Sequence, residues 1–501
     1  MLKYKIGTRG SLLAVTQCNQ VKDELEKISG AEFELVEIKT QGDLITNAPL
    51  WQLDGKDFFT RELDEALLSG RVDMVVHSYK DLGSVRPEGI ILAAITKRTY
   101  ANDILLIKKS TFPELKNKKE FVVGTSSPRR MVNIEKNLAE FLPSGSHLKV
   151  SSKILRGNVN TRIQKLRDDE YDAIVLALPG IERLALTESS RLQLEKLLEG
   201  INFMVLPQSV FPSSAAQGAL AIECASERND NGKLFGILQK MQDSNTVEEI
   251  KRERKAFNEY GGGCHLAVGI NVKKKDRFFV HTHRGVLNGE EVNLSELEGR
   301  DLPSFFVKPK VFSGLPKDDL LVKKAPLDID LSKHFHLYVT TKHCLDKINC
   351  TPLSLWAAGT RTMKDLAARG YWVNGSADGF GDEEIKKLRD SKAIALMIDA
   401  KADLSVLTND EATSTVGKVI PCYTRLIERK LDKKFEDKIN TTDVFYWTSF
   451  FQYQAYMEKF PLIRNRVHVC GLGKTFKKFT EKNINIYPMA SMEEFKRWVN
   501  Q

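Results

Sequence analysis

Short apolar runs alternate with amphipathic stretches along most of the chain. Alternation over residues 3–7 predicts a strand. Ser11 then opens a helix whose apolar face is Ala14, Cys18, Val21, Leu25 and Ile28, spaced four, three, four and three residues apart. FELVEIKT (33–40) reads as a second strand, FFTRELDEALLSG as a helix ending at Gly70, and VDMVVHS as a third strand. The order returns at FVVGTSSPRRMVNIEKNL and at YDAIVLALPGIERL. Such βαβ patterning predicts an α/β fold. ERKAFNEYGGGC reads as a helix running into a glycine loop, followed by strand-like VGINV and RFFVHTH.

Between about 300 and 335 the pattern weakens. DLPSFFVKPKVFSGLPKDD holds three prolines and several charges, as a linker would. Beyond it α/β patterning resumes, and two stretches look alike. TTKHCLDK follows HLYVTT as TSFFQYQAYMEKF follows DVFYWTS, and AAGTRTMKDLAARG resembles VCGLGKTFKKFTEKN.

Composition narrows the function classes. A chain of 501 residues suggests about three to five domains. No apolar run approaches the roughly 18 residues of a membrane span, and MLKYKIGTRGSLLAV lacks a signal-peptide layout, so a cytoplasmic protein is expected. The seven cysteines are scattered with no CxxC spacing, which predicts neither a disulfide framework nor a zinc site. The net charge of +9 contains no run of five or six basic residues. Its arginines stand singly or in pairs at the ends of apparent strands, which favours a small polyanion over a nucleic acid backbone.

Several of those arginines stand where a helix dipole does not favour them. In GTSSPRRM, Ser127 can cap a helix, Pro128 suits its first position, and Arg129 and Arg130 fill the first turn. Cations there oppose the helix dipole unless an anion binds at the same place. Arg9 precedes the helix start at Ser11, Arg156 and Arg162 flank a strand-to-helix turn in LRGNVNTRIQKL, and Arg183 follows a strand in PGIERL. Such convergence suits carboxylates, which arginine holds in a bidentate fork. Lys80 and Asp81 follow an apolar strand; one carboxylate among arginines should stay ionised, free to face a cationic nitrogen or shuttle a proton. GGGCHLAVG puts Cys264 on a loop whose backbone can give way, as a thiol carrying something bulky would need.

IGTRGSLLAVTQ, HSYKDL, GTSSPRR, LRGNVNTRIQKL, QGALAIEC and GGGCHLAVG occur in this order, and the set resembles the porphobilinogen deaminase (hydroxymethylbilane synthase) family over about residues 1–310. The resemblance implies two periplasmic-binding-protein-like α/β domains, one over 1–98 and 203–226 and one over 99–202. A small α+β cysteine-loop domain over 227–312 would follow. It implies a dipyrromethane cofactor attached to Cys264, with Asp81 supporting the pyrrole nitrogens and the azafulvenium cation that forms as ammonia leaves. Arg9, Ser11, Lys80, Ser127, Arg129, Arg130, Arg156, Arg162 and Arg183 match residues that hold cofactor and substrate carboxylates. The chain departs from the family at His265 and Ala267, where glutamine and proline are common.

From 313 to 501, YVTTK, AAGTRTMKDLAARG, PCYTR, YWTS and CGLGKTF resemble the uroporphyrinogen-III synthase family. That resemblance implies two α/β lobes joined by a two-stranded ladder, with PCYTR on the return crossing and a short opening segment. Tyr423 matches a tyrosine that assists hydroxyl loss, and Thr448, Ser449 and Thr475 match positions that hold substrate carboxylates. Together these imply a bifunctional tetrapyrrole enzyme with no metal, polycarboxylate pyrroles as its ligands, no nucleic acid or membrane partner, and a monomeric state. Two alternatives stand beside it: a deaminase carrying a non-catalytic C-terminal module, and a periplasmic-binding-like anion receptor.

Overall fold

The structure, a computed structural model, describes residues 2–40, 60–263 and 265–501. Near-continuous apolar runs become strands buried on both faces, as α/β sheets require. β1 (Lys3–Thr8), β2 (Glu32–Glu37), β3 (Met74–Ser78) and β4 (Ile90–Ile95) open a first sheet. β5 (Asp103–Lys108), β6 (Glu120–Gly124), β7 (Lys149–Lys153), β8 (Ala173–Ala177) and β9 (Ile201–Val205) form a second, ordered β7-β6-β8-β5-β9. β10 (Leu220–Ala225) then returns to the first sheet, which reads β2-β1-β3-β10-β4 with β10 antiparallel to both neighbours. Two crossings, 96–102 and 206–219, therefore join the sheets.

The first helix, Leu12–Ser29, starts where Ser11 Oγ accepts from Ala14 N at 3.3 Å and stops at Gly30, whose φ of 67° is left-handed. Cys18, Val21 and Leu25 are buried; Ile28 is 37% exposed, so the apolar stripe is narrower than its spacing predicts. Two expected boundaries move. Phe203–Val205 belong to β9 in the second sheet rather than to the first unit. Residues 227–243 leave the third unit, because Leu234, Leu238 and Met241 are buried in the core of the first sheet.

The third unit is the helix Ser244–Glu259 packed on a meander of β11 (Val268–Lys275), β12 (Phe278–Leu287) and β13 (Glu290–Glu298). Ala256 meets Leu266, Val268 and Ile270 there. Glu253, wholly buried, ties this helix to both crossings: Arg98 donates to it at 2.9 and 2.5 Å and Ala216 N at 2.7 Å.

The expected linker is packed rather than loose. β14 (Val311–Phe312) pairs in parallel with a strand beyond residue 440, so it belongs to the C-terminal region, although the boundary at 312/313 places it outside. β15 (Val322–Pro326), β16 (His336–Val339), β17 (Ser354–Ala357), β18 (Gly375–Ser376), β19 (Leu404–Asn409) and β20 (Gly417–Ile427) form a six-stranded sheet, β15-β20-β19-β16-β17-β18. β21 (Val444–Trp447), β22 (Val467–Gly471) and β23 (Tyr487–Met489) extend β14 into a parallel sheet. The chain leaves this sheet through β15 and returns through β20, and these two strands pair antiparallel as a ladder. AAGTRTMKDLAARG and VCGLGKTFKKFTEKN each form a strand followed by an α-helix, one in each sheet, whereas HLYVTT leads into a short 3-10 helix and DVFYWTS into an α-helix.

The six-stranded lobe is docked on the second sheet and its crossings. Val205 N donates to Asn374 O at 2.8 Å, Trp372 stacks on Phe112 at 4.7 Å, and its indole N–H reaches Phe203 O at 2.8 Å. Buried Glu182 accepts from Ser391 Oγ, Lys392 N and Ala393 N at 2.5, 3.1 and 3.0 Å. Both crossings are held: Tyr100 OH donates to Lys387 O at 2.9 Å, and Ser209 N to Asp378 at 2.8 Å. The last sheet grips the meander through Glu494, which accepts from Leu297 N at 2.8 Å and Arg300 at 2.6 Å. No helix among the described residues is long and apolar enough to cross a membrane.

Candidate functional site

β3 ends in a single 3-10 turn, Tyr79–Asp81, which brings Lys80 and Asp81 to its C-terminal edge. β6 feeds the helix Pro128–Asn137, with Pro128 at its first position as expected. Arg129 and Arg130 are 4% and 8% exposed, so they are not a solvated pair. The anion they meet is the chain's own Asp103, at the start of β5. Arg130 holds it through Nε and one terminal nitrogen at 3.0 and 2.7 Å, and Arg129 lies 2.9 Å away. Arg129 also donates to Pro212 O at 2.7 Å and Arg130 to Val175 O at 3.2 Å. Gln217 Nε2 adds a bond to Asp103 at 3.0 Å. Burial alone would raise the Asp103 pKa, but the two guanidiniums outweigh it and hold the carboxyl well below its usual range.

Lys80 belongs to the same cluster. Burial pushes its ammonium down and Asp81 offsets part of this, while Arg130, Asp103 and Arg129 also act on it. Arg162 lies in the first turn of the helix Val159–Arg167 and donates through Nε to Gly157 O at 2.7 Å. Burial, then Arg130 and Arg156, lower its guanidinium to about 10, with Asp81 acting the other way. Six expected residues, Lys80, Asp81, Arg129, Arg130, Arg156 and Arg162, thus sense one another where the two sheets meet. Asp81 is exposed, available to a ligand.

Arg9, Ser11 and Arg183 are placed by other elements. Arg9 follows β1, and Ser11 Oγ caps the first helix. Arg183 lies on the helix Leu178–Leu186 and is buried, lowered to about 10 by burial, with its guanidinium on Gly218 O at 2.7 Å. Gly218 has a φ of +96°, and a Cβ there would stand 2.0 Å from Tyr100 O; only glycine lets the crossings approach so closely. Gly261, Gly262 and Gly263 have φ of +90°, +61° and +89°, which no side-chain-bearing residue adopts cheaply in succession. Cys264 itself lies outside the described residues. The sequence reading missed Asp103, Gln217 and Glu253. A signal for Asp103 existed, because a carboxylate that opens an apolar run such as DILLI needs a cationic partner when buried.

A second cluster lies in the C-terminal region. Tyr423 is 7% exposed on β20, and burial, with Cys344 adding to it, raises its hydroxyl to about 12. Ser449 caps the helix Phe450–Lys459, accepting from Gln452 N at 3.2 Å, and Thr475 Oγ1 donates to Thr448 O at 3.3 Å. Arg425 packs 4.2 Å from the Phe451 ring and so joins the ladder to this helix start.

Residues 4–233 match the sequence model of the family described as Porphobilinogen deaminase, dipyromethane cofactor binding domain. The porphobilinogen deaminase of Campylobacter hominis is 35% identical over 313 residues, 62% of this chain and 89% of its own length. That of Sulfurimonas denitrificans is 37% identical over 299 residues, 58% of this chain and 87% of its own. The chain belongs to the porphobilinogen deaminase family. Among solved structures, a probable amino-acid ABC transporter extracellular-binding protein from Bacillus subtilis aligns with 52% of this chain and 97% of its own at 13% identity, with a TM-score of 0.28.

Dipyrromethane is the cofactor of this deaminase region, and the cluster fits a polycarboxylate group. Arg129 Nε is buried with no hydrogen-bond partner, and Ser127 Oγ makes no capping bond to the helix it precedes. Deaminase-family chemistry also leaves a separate ionic knot unused. Asp64, His77 and Glu223 lie close enough to chelate a metal, yet Arg86 already holds Glu223 at 2.8 Å and Asp64 at 2.5 Å, so this is an ion-pair network beneath the first sheet.

Proposed function

We propose that this deaminase-family chain runs two consecutive reactions: it joins four porphobilinogen molecules head to tail into hydroxymethylbilane with loss of ammonia, and then closes that product to uroporphyrinogen III. The observation that carries the first reading is Asp81, an exposed carboxylate at the edge of a cluster of cations. Bound at Cys264, the dipyrromethane supplies the pyrrole carbon on which the chain grows. Lys80, Ser127, Arg129 and Arg130 would hold its acid side chains, and Arg9, Ser11, Arg156, Arg162 and Arg183 those of the substrate. Arginine forks suit these carboxylates, and Asp103 keeps two of them aimed before any ligand arrives. Asp81 accepts hydrogen bonds from pyrrole N–H groups and stabilises the cation left on the substrate as ammonia departs.

For the second reaction, Tyr423 carries the reading. Its hydroxyl keeps its proton at neutral pH, as a donor to a departing hydroxyl must. Thr448, Ser449 and Thr475 would hold carboxylates at the adjacent helix start. The ladder at β15 and β20 supports a synthase-like architecture.

Full-length protein supplied with porphobilinogen and analysed by HPLC of the oxidised porphyrins tests both reactions. Mainly type III isomer is expected, with Tyr423→Phe shifting the mixture toward type I. Type I alone from the wild type would remove the cyclisation and leave the deaminase. Intact mass should show a dipyrromethane adduct that Cys264→Ala lacks.

A further inference from the structure

The end of the ladder carries ammonium groups that no carboxylate among the described residues pairs with. Lys324 stands directly opposite Arg425 in the antiparallel register, and Pro326 opposite Tyr423. Alternate residues of a strand share a face, so Lys324, Tyr423 and Arg425 point the same way. Lys324 Nζ lies 5.6 Å from the Tyr423 ring centre, and the centre of the His343 ring lies 5.5 Å from the same ring. Lys342 precedes His343 on the short helix Lys342–Lys347. Partial burial, then Lys324 and Lys342, lower the His343 imidazole to about 4, so the ring is neutral at neutral pH.

The acids nearby are already engaged. Glu411 is bonded to Arg425. Asp319, which faces Lys324, accepts from Leu321 N and Val322 N at 3.1 and 3.0 Å, from Gln452 Nε2 at 2.6 Å and from Tyr456 OH at 2.8 Å. Lys324 and Lys342 are exposed, and neither is ion-paired among the described residues. Like charges directly opposite one another weaken a β-ladder. Their position beside a buried tyrosine is explained if an anion completes them.

We propose that Lys324 and Lys342 form a carboxylate-binding face that grips the acid side chains of the linear tetrapyrrole where one of its rings lies against Tyr423. This rests on the cyclisation reading given above and assigns its substrate contacts to the ladder as well as to the Ser449 helix start. An ammonium binds carboxylate as a point charge with rotatable donors, which tolerates a ring that must turn over as it closes.

The test uses full-length protein carrying Lys324→Gln, Lys342→Gln, both together, or Lys324→Arg. The readouts are KM and kcat for type III formation, thermal midpoint, and affinity for uroporphyrin I followed by protein fluorescence. The double variant should raise KM and weaken uroporphyrin binding by about tenfold or more, with a much smaller change in kcat, and Lys324→Arg should retain most of the affinity. Its thermal midpoint should hold or rise, because a repulsive pair is removed; a purely structural pair would lower it. Unchanged KM and unchanged uroporphyrin affinity would overturn the proposal. Should the wild type form no type III isomer, the cyclisation reading falls by itself. Uroporphyrin affinity then decides alone: lost in the double variant, the carboxylate face stands; equal in both proteins, or absent from the wild type, it does not.

Discussion

At the start of β5, Asp103 sits between Arg129 and Arg130, all three buried. On the ladder, Lys324 faces Arg425; Glu411 pairs with Arg425, and no carboxylate pairs with Lys324 among the described residues. Both places gather cations, but they keep them by different means. In the deaminase cluster a built-in counter-ion cancels the repulsion, so the guanidiniums are fixed before a ligand enters. On the ladder, Glu411 answers Arg425 alone, and Lys324 keeps an ammonium that an arriving anion can pair with. A buried cation pair needs an internal anion to persist; an exposed one does not.

Asp103→Asn is the strongest way to break this contrast. It strands two buried guanidiniums and should cost about 3–5 kcal/mol, a fall in Tm of about 3–5 °C for a chain of this length melting as one unit. The pH profile sharpens it. A carboxyl whose folded pKa is depressed contributes stability that is complete above its unfolded value of about 3.9 and is lost as pH falls toward the folded value. Thermal melts of the wild type should therefore lose this contribution only below about pH 4, and the Asn variant should lack that step. Equal Tm in both proteins would mean that the arginines need no internal anion.

Asp81→Asn should be milder for the fold and severe for turnover. Porphobilinogen consumption should drop by about 10²–10³-fold, since one stabilising group for a developing charge is typically worth about 3 kcal/mol or more, with Tm unchanged because Asp81 is exposed. Near-normal turnover in a folded variant would end its assigned role.

Glu182→Ala removes a buried acceptor of three donors and should cost about 1–3 kcal/mol, read as a lower Tm of the full chain. The smallest effect is expected at Lys324→Gln, within about 0.5 kcal/mol of the wild type and on the stabilising side. A drop in Tm as large as that of Glu182→Ala would show that the ladder lysine is structural and that the two cation clusters are alike after all.

Strand and helix order was legible wherever the apolar period was clean, as in the first helix, the β6 turn into Pro128 and the look-alike C-terminal units. The arginines of the cluster were legible too, because cations in a helix's first turn are out of place without an anion. Their partner was not: Asp103 is 26 residues before Arg129 in sequence, and only the folding of β5 beside β8 brings them together. Glu182 and Asp378 were invisible for a related reason. An acid on an amphipathic stretch reads as solvated until a second lobe covers it. Nothing in LVKKAP separates Lys324 from Lys323; the register with β20 alone decides which faces Tyr423. The linker was misread because prolines and charges mark loops on average, while Phe312 is wholly buried against Phe445 and Trp447.

The grip of the C-terminal lobe on Tyr100 and Ser209 bears on how the two regions of the chain are joined. Two enzymes on a flexible tether gain only local concentration from being joined, and either could be cut free unharmed. Here the C-terminal region supplies hydrogen-bond partners to both crossings between the first two sheets, and it covers Phe112 with Trp372. Excising residues 314–501 would therefore not release a free-standing first enzyme. It would leave a loosened one, with an apolar scar and an unrestrained waist.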